Sequence, residues 1–289
     1  MPIFQIVLLA LVQGMAELLP VSSSAHVIVA QKLMGLDPAS PPMTFLLVML
    51  HTGTMFAVIK YFWPKWKKLI TSAERAAFFK SLVVATGLTG VVGFGLKAVI
   101  EHVVLAQPGQ GPGEVRELFR SLPLIAGALF AAGIVITIAG IASHRRPASE
   151  GNESVPPSDA GWIGVVQGLC LPFRGFSRSG ATISTALLRG IRRDVAEDFS
   201  FALAVLLTPA VIVTESHRLI KSTQESGAAA IDWHALLFPG FLGMFFSFLS
   251  GLLALKWLSS WLEHGRWHYF GIYCFAASAV IYGLSHAGF

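Results

Sequence analysis

Apolar runs of about 20 residues recur along this chain between short polar or basic breaks, and the first of them is interrupted. Residues 3–19 are apolar except at Gln13, Gly14 and Glu17. After Pro20 come Ser22, Ser23 and Ser24, and then a second short apolar piece at 25–36. Neither piece crosses the roughly 30 Å of hydrocarbon that about 20 helical residues span. Two half-helices around a polar break predict a re-entrant hairpin over 3–36, tolerated at membrane depth where it is buried in protein or lines a wet cavity. Full spans are predicted at 42–63, 81–104, 122–143, 199–219, 235–258 and 268–286. The second is rich in glycine (Gly87, Gly90, Gly93, Gly95), which lets neighbouring helices approach closely. Lys65, Trp66, Lys67 and Lys68 read as an interfacial anchor. Residues 107–117 read as a Gly/Pro-rich turn, and 144–160, with three prolines, as the longest polar loop.

The opening pattern then returns. Val12-Gln13-Gly14 is matched by Val166-Gln167-Gly168, Leu19-Pro20 by Leu171-Pro172, and the run from Ser22 to Ala25 by that from Ser177 to Gly180. Phe45 with Thr52 likewise resembles Phe201 with Thr208, an internal repeat at a spacing of about 155 residues. A second hairpin is therefore expected over 161–190. Three spans separate the hairpins, so the two enter from opposite faces. The expected fold is an all-α polytopic membrane protein: six transmembrane helices plus two re-entrant helical hairpins arranged as an inverted-topology repeat. It forms a single integral membrane domain over 1–289, with repeat 1 at about 1–143, the loop at 144–160 and repeat 2 at about 161–289.

Composition supports the membrane assignment. Hydrophobic residues make up 54% and charged residues 13%, about half the charged share of a soluble domain, and mean hydropathy is +0.66. The net charge of +5 is scattered over short loops, which argues for membrane orientation and against nucleic acid. Thirteen of the 21 Lys and Arg fall on the face that carries Lys65, Arg145, Arg146 and Arg189; five, among them Arg116, Arg120, Arg218 and Lys221, fall on the other. The positive-inside rule makes the first face cytoplasmic, so the first hairpin dips from outside and the second from the cytoplasm. Cys170 and Cys274 lie in apolar sequence and read as small buried residues, neither a disulfide nor a metal pair. A signal peptide is the competing reading of the N-terminus, but the polar cluster falls where a signal's apolar core would continue.

The candidate chemistry sits at the two breaks. Gln13 and Glu17 share one helix face, and an ionisable group at membrane depth points to function. Glu17 is a candidate metal ligand or base, and Gln13 would hold its orientation or a water. Ser23 is a candidate nucleophile, and His26 a general base, general acid or alternative nucleophile. One carboxylate completed by substrate phosphate oxygens suits Mg²⁺ or Ca²⁺. In each hairpin the second half-helix begins at mid-membrane, where free N–H groups and the helix dipole favour an anion. Arg178, between Ser177 and Ser179 and with Thr182 a turn later, forms an oxyanion cradle to which Arg174 could add a second cation. Arg178 could equally pair with Glu17, and the two roles are compatible. Lys97 reads as snorkelling, and Glu101, His102, Glu215 and His217 as interfacial residues.

Over essentially its full length the chain resembles the undecaprenyl-diphosphatase family, the bacitracin-resistance phosphatases, through Q-G-M-A-E-L-L-P-V-S-S-S-A-H at 13–26 and G-F-S-R-S-G-A-T at 175–182. The resemblance implies removal of one phosphate from undecaprenyl diphosphate, at the outer side of the bacterial inner membrane and with a divalent cation, recycling the lipid carrier of cell-wall synthesis. It implies Glu17 as the essential acid and metal ligand, and Ser23 and His26 as nucleophile and acid/base candidates. Arg178 is then the diphosphate-binding arginine, in a pocket with Ser177 and Thr182. Gln13, Ser22, Ser24, Arg174 and Ser179 complete the expected substrate-binding set. The family often carries glutamate where this chain has Gln13, and its second motif usually starts Pro-Gly where this chain has Arg174-Gly175. His51 falls where the family places a polar residue facing the site. The expected partners are the polyprenyl substrate and membrane lipids, with a homodimer as the candidate assembly and no nucleic acid. The competing reading is a polyprenyl-phosphate flippase, since inverted repeats with broken helices also describe alternating-access carriers.

Overall fold

The computed structural model describes residues 1–37, 40–105, 118, 121–147, 150–225 and 233–287, leaving out the side chains of 218–225 and 233–235. These residues form ten α-helices and one isolated β-bridge, Asn152 to Ile191. In chain order they are α1 (Ile3–Leu18), α2 (Ser23–Leu33), α3 (Pro41–Ile70), α4 (Arg75–Val99, continued by a π-helical turn over Ile100–Val104) and α5 (Leu122–His144). The second half repeats the order with α6 (Pro157–Cys170), α7 (Arg178–Leu188), α8 (Arg193–Glu225), α9 (Trp233–Glu263) and α10 (His268–His286). The 107–117 turn, Arg116 and Arg120 lie outside the described residues, as do the side chains of Arg218 and Lys221.

The chain is a multi-pass helical membrane protein. Among the described residues α3, α4 with its π-helical turn, α5, α8 and α9 contain segments long and apolar enough to cross a bilayer. The sixth expected span coincides with α10, whose 19 residues reach about 28 Å at 1.5 Å per residue. It is not among those five, because His268, His286 and three tyrosines dilute its apolar character. Several helices outrun their apolar segments: α3 continues through Lys65, Lys67 and Lys68 to Ile70, since a helix needs no apolar side chains once it leaves hydrocarbon. α6 starts inside the expected polar loop, at Pro157. Proline is at home in a first turn that has no use for its N–H, and Asp159 complements the dipole there.

The two halves interleave. α1 packs on α9 and α6 on α4, while α3 packs on α8 and α5 on α10. Exchanging each helix of the first five for its counterpart in the second five leaves these pairings unchanged. The Gln-Gly echo has a packing reason. A Cβ on Gly14 would overlap Ser250 Oγ and lie 2.6 Å from the Ser247 carbonyl of α9; one on Gly168 would lie 2.9 Å from the Thr89 carbonyl of α4.

One end of the bundle gathers the basic residues. Arg193, buried at the start of α8, donates to the carbonyls of Ser143 (2.6 Å) and Arg146 (3.0 Å) beyond α5 and to that of Glu263 (2.8 Å) ending α9. A cation there caps the carbonyl ends of α5 and α9 and complements their dipoles. Lys65 meets Asp198 at 3.3 Å, and Arg189 at the end of α7 meets Asp159 of α6 at 2.7 Å. The C-terminal ends of α3, α5, α7 and α9 and the N-terminal ends of α6 and α8 therefore lie together.

Candidate active site

α1 ends where Pro20 forbids its continuation: Leu19 is extended, as residues before proline prefer, and its N–H bonds to Met15 O. Two residues on, Ser22 has φ 67°, the one positive φ of a non-glycine among the described residues. A side chain in that conformation costs on the order of 1 kcal/mol or more and persists only where surrounding structure enforces it. The turn starts α2 at Ser23, so that Ser23 faces back toward the end of α1.

The second break is built differently. Gly175 has φ 107°, and a Cβ there would press into the Ile125 carbonyl of α5. Ser177 caps α7, accepting from Gly180 N–H at 3.1 Å. Ser179 Oγ approaches the Leu19 carbonyl at 3.4 Å and so joins the two breaks.

Glu17 is the hub. Its Oε1 accepts from Arg178 Nη2 at 2.7 Å; its Oε2 accepts from Ser23 Oγ at 2.5 Å and from Gln13 Nε2 at 3.1 Å. The carboxylate side chain is 14% exposed and the guanidinium 26%, so the ion pair is shielded and correspondingly strong. The Gln13 amide also lies 3.1 Å from His51 Nδ1. Since its N–H₂ must face the carboxylate, His51 Nδ1 is the acceptor and the His51 proton sits on Nε2. Arg174, half-buried in the second break, and Glu215 of α8 lie within electrostatic reach of His51. Nothing in the local sequence of Glu215 relates it to α3.

The other expected residues divide. Ser22 and Ser24 approach each other at 3.3 Å, Oγ to Oγ, beside Ser23. Ser177 and Thr182 are buried and occupied: the first caps α7, and the second bonds back to the Arg178 carbonyl at 3.0 Å, as mid-helix threonines do. Both hydroxyls thus already have a partner at the start of α7. His26 points to α10: its Nδ1 lies 2.8 Å from Ser22 O and its Nε2 2.7 Å from Tyr273 OH. Tyr273 has no signal in the sequence that sets it apart from other tyrosines of apolar helices.

A metal centre built by the protein alone is not found among the described residues, which group no three His, Cys, Asp or Glu side chains. Glu17 Oε2 and Ser23 Oγ form an oxygen pair that fits a hard cation as a minority of its ligands, with phosphate oxygens and water supplying the rest. The assembled groups are a hydroxyl bonded to a carboxylate, a guanidinium on that carboxylate's other oxygen, and two helix N-termini. That combination can activate an oxygen nucleophile beside a site for a phosphate anion.

Residues 6–280 match the family model described as Bacitracin resistance protein BacA. The Undecaprenyl-diphosphatase 2 of Acinetobacter baylyi is 54% identical over 290 residues, covering 99% of both chains. The Undecaprenyl-diphosphatase of Desulfosudis oleivorans is 34% identical over 95% of both chains, and that of Thermus thermophilus is 31% identical over 96% of this chain and 95% of its own.

Proposed function

This chain belongs to the bacitracin resistance protein BacA family, and from that premise we propose that it hydrolyses undecaprenyl diphosphate to undecaprenyl phosphate and inorganic phosphate. The observation that carries the mechanism is Glu17, bound at once by Ser23 of its own hairpin and by Arg178 of the other. The diphosphate enters between the N-termini of α2 and α7, where Arg178 turns its free N–H groups to phosphate oxygens. Ser23 Oγ attacks the terminal phosphorus and its proton passes to Glu17 Oε2. The bond from that phosphorus to the bridging oxygen breaks, and undecaprenyl phosphate leaves. Water then attacks the phosphoserine, giving up a proton to His26, one turn along α2; Ser23 takes its proton back from Glu17 and phosphate departs. Arg178 and the helix N-termini stabilise charge in both steps, as phosphoryl transfer requires. Mg²⁺ or Ca²⁺, held by Glu17 and completed by substrate oxygens, would neutralise further phosphate charge.

The proposed topology is six spans, with α10 as the sixth, and two re-entrant hairpins, α1–α2 and α6–α7, in inverted orientation. The interleaved pairing of the halves and the clustering of basic helix ends support it. With those ends cytoplasmic, the first hairpin opens outward, the site faces the periplasm of an inner-membrane protein, and the product re-enters cell-wall synthesis, which is how bacitracin resistance would arise. A carrier would need no hydroxyl bonded to a carboxylate, so the Ser23–Glu17 pair favours hydrolysis.

The test is phosphate release from undecaprenyl diphosphate, or a shorter polyprenyl diphosphate, by purified protein with and without EDTA. Release should stop with EDTA and in Glu17→Ala, Ser23→Ala and Arg178→Ala. A folded wild-type protein that binds the lipid without releasing phosphate would overturn the proposal.

A further inference from the structure

The hydrogen bonds of His26 fix more than its position. Ser22 O, 2.8 Å from Nδ1, carries no hydrogen, so Nδ1 must hold the proton. In the neutral ring the electron pair is then on Nε2, and the Tyr273 hydroxyl, 2.7 Å away, is its donor. The two rings lie within 16° of parallel at a centroid distance of 5.6 Å. Tyr273 is not a loosely held surface group. The next residue, Cys274, is fully buried and its thiol lies 3.5 Å from the Pro20 carbonyl, at the first break itself. Behind them α10 is set against α5 by paired glycines: a Cβ on Gly271 would lie 2.8 Å from Gly133 O, and one on Gly133 would lie 3.1 Å from Cys274 Cβ. The depth of α10 beside the first hairpin, and hence the reach of the phenol, is determined by backbone contact.

We propose that Tyr273 is a positioning residue of the active site, acting through His26: its O–H holds the direction of the imidazole, whose Nδ1–H tautomer the Ser22 carbonyl fixes, with the Nε2 electron pair presented as a proton acceptor. At 46% exposure the phenol stands at the open edge beside α2, where it can yield its place to a water. Ring direction and tautomer are thereby set before substrate arrives, so the base need not be reorganised during reaction. The kinetic consequence rests on the hydrolytic reading given above, whereas the tautomer does not.

Two readouts test this on the intact protein. In detergent-solubilised protein labelled with ¹⁵N-histidine, with His26→Gln assigning the resonance, wild type should show His26 protonated at Nδ1 and an Nε2 shifted by a donated hydrogen bond. Tyr273→Phe should move that Nε2 signal. Unchanged His26 signals in Tyr273→Phe would overturn the proposal. In phosphate release, Tyr273→Phe should lower kcat roughly 3- to 10-fold, the worth of one neutral hydrogen bond, with KM unchanged. The same substitution should do nothing further to the residual rate in a His26→Gln background. An equal fall in both backgrounds would mean that Tyr273 acts independently of His26, and the proposal fails. If wild type releases no phosphate, the hydrolytic reading fails while the ¹⁵N signals still decide the role of Tyr273.

Discussion

Replacing Gly14 by alanine tests whether the approach of α1 to α9 sets the position of Glu17. The new Cβ would lie 2.6 Å from Ser247 O and 3.1 Å from Gly251 N, and would overlap Ser250 Oγ. The serine hydroxyl can rotate away, but the Ser247 carbonyl belongs to the α9 backbone. Ordinary contact begins near 3.4 Å, so α1 must retreat by about 0.8 Å, carrying Glu17 one turn further on. Overpacking of this kind costs about 1–3 kcal/mol, and the helix preference of alanine over glycine returns about 1 kcal/mol. The net loss of stability should therefore not exceed about 2 kcal/mol. Activity should suffer more, because misplacing a reacting group by about 1 Å costs on the order of 100-fold. The control is Gly87→Ala on α4, where a Cβ meets nothing within 4 Å. The assay is phosphate release at saturating lipid beside thermal unfolding in the same detergent. Gly14→Ala should lose kcat by about two orders of magnitude while melting close to wild type, and Gly87→Ala should match wild type in kcat. A Gly14→Ala protein with wild-type kcat would show that the approach of α1 to α9 does not set Glu17, as would equal damage from Gly87→Ala.

Arg178→Lys keeps the charge but loses the planar fork that serves Glu17 and a phosphate together, and kcat should fall by about 10²- to 10³-fold; near wild-type turnover would mean that a point charge suffices. Arg193→Met removes the donor to three helix-end carbonyls and should cost at least about 2 kcal/mol in thermal unfolding, so an unchanged Tm would exclude the capping role. Asp159→Asn weakens the clamp at the open end of the α6–α7 hairpin. Because Arg189 is 47% exposed, the expected loss is only about 1 kcal/mol, and one above about 3 kcal/mol by the same measurement would contradict a solvent-screened pair.

Much of the fold was legible because its determinants are local. Helix α5 occupies 122–144 against an expectation of 122–143, and α10 occupies the expected 268–286, since apolar length bounded by polar residues defines a helix in hydrocarbon. The ends of α3, α8 and α9 were less legible, because charged residues continue a helix past the apolar stretch without any change of period. Among the site residues, the grouping of Gln13, Glu17 and Ser23 follows from helix spacing and one proline. The left-handed backbone of Ser22 does not, since serine carries no preference for it and the conformation is imposed from outside the segment.

Which segments are helical, where the two polar breaks fall and which chemical groups they carry follow from local sequence, because each depends on neighbours within a few residues. Tertiary structure alone decided which of those groups meet. Glu17 and Arg178, 161 positions apart, are joined because the hairpins abut at their breaks. His26 turns to Tyr273, 247 positions away, because glycine contacts set α10 beside the first hairpin. Ser177 caps α7 because the first N–H groups of a helix have no partner within it, and Thr182 turns its hydroxyl back onto the Arg178 carbonyl. Local patterns distribute donors and acceptors along the chain, but a hydrogen bond forms only between atoms brought within about 3 Å, and packing sets that distance.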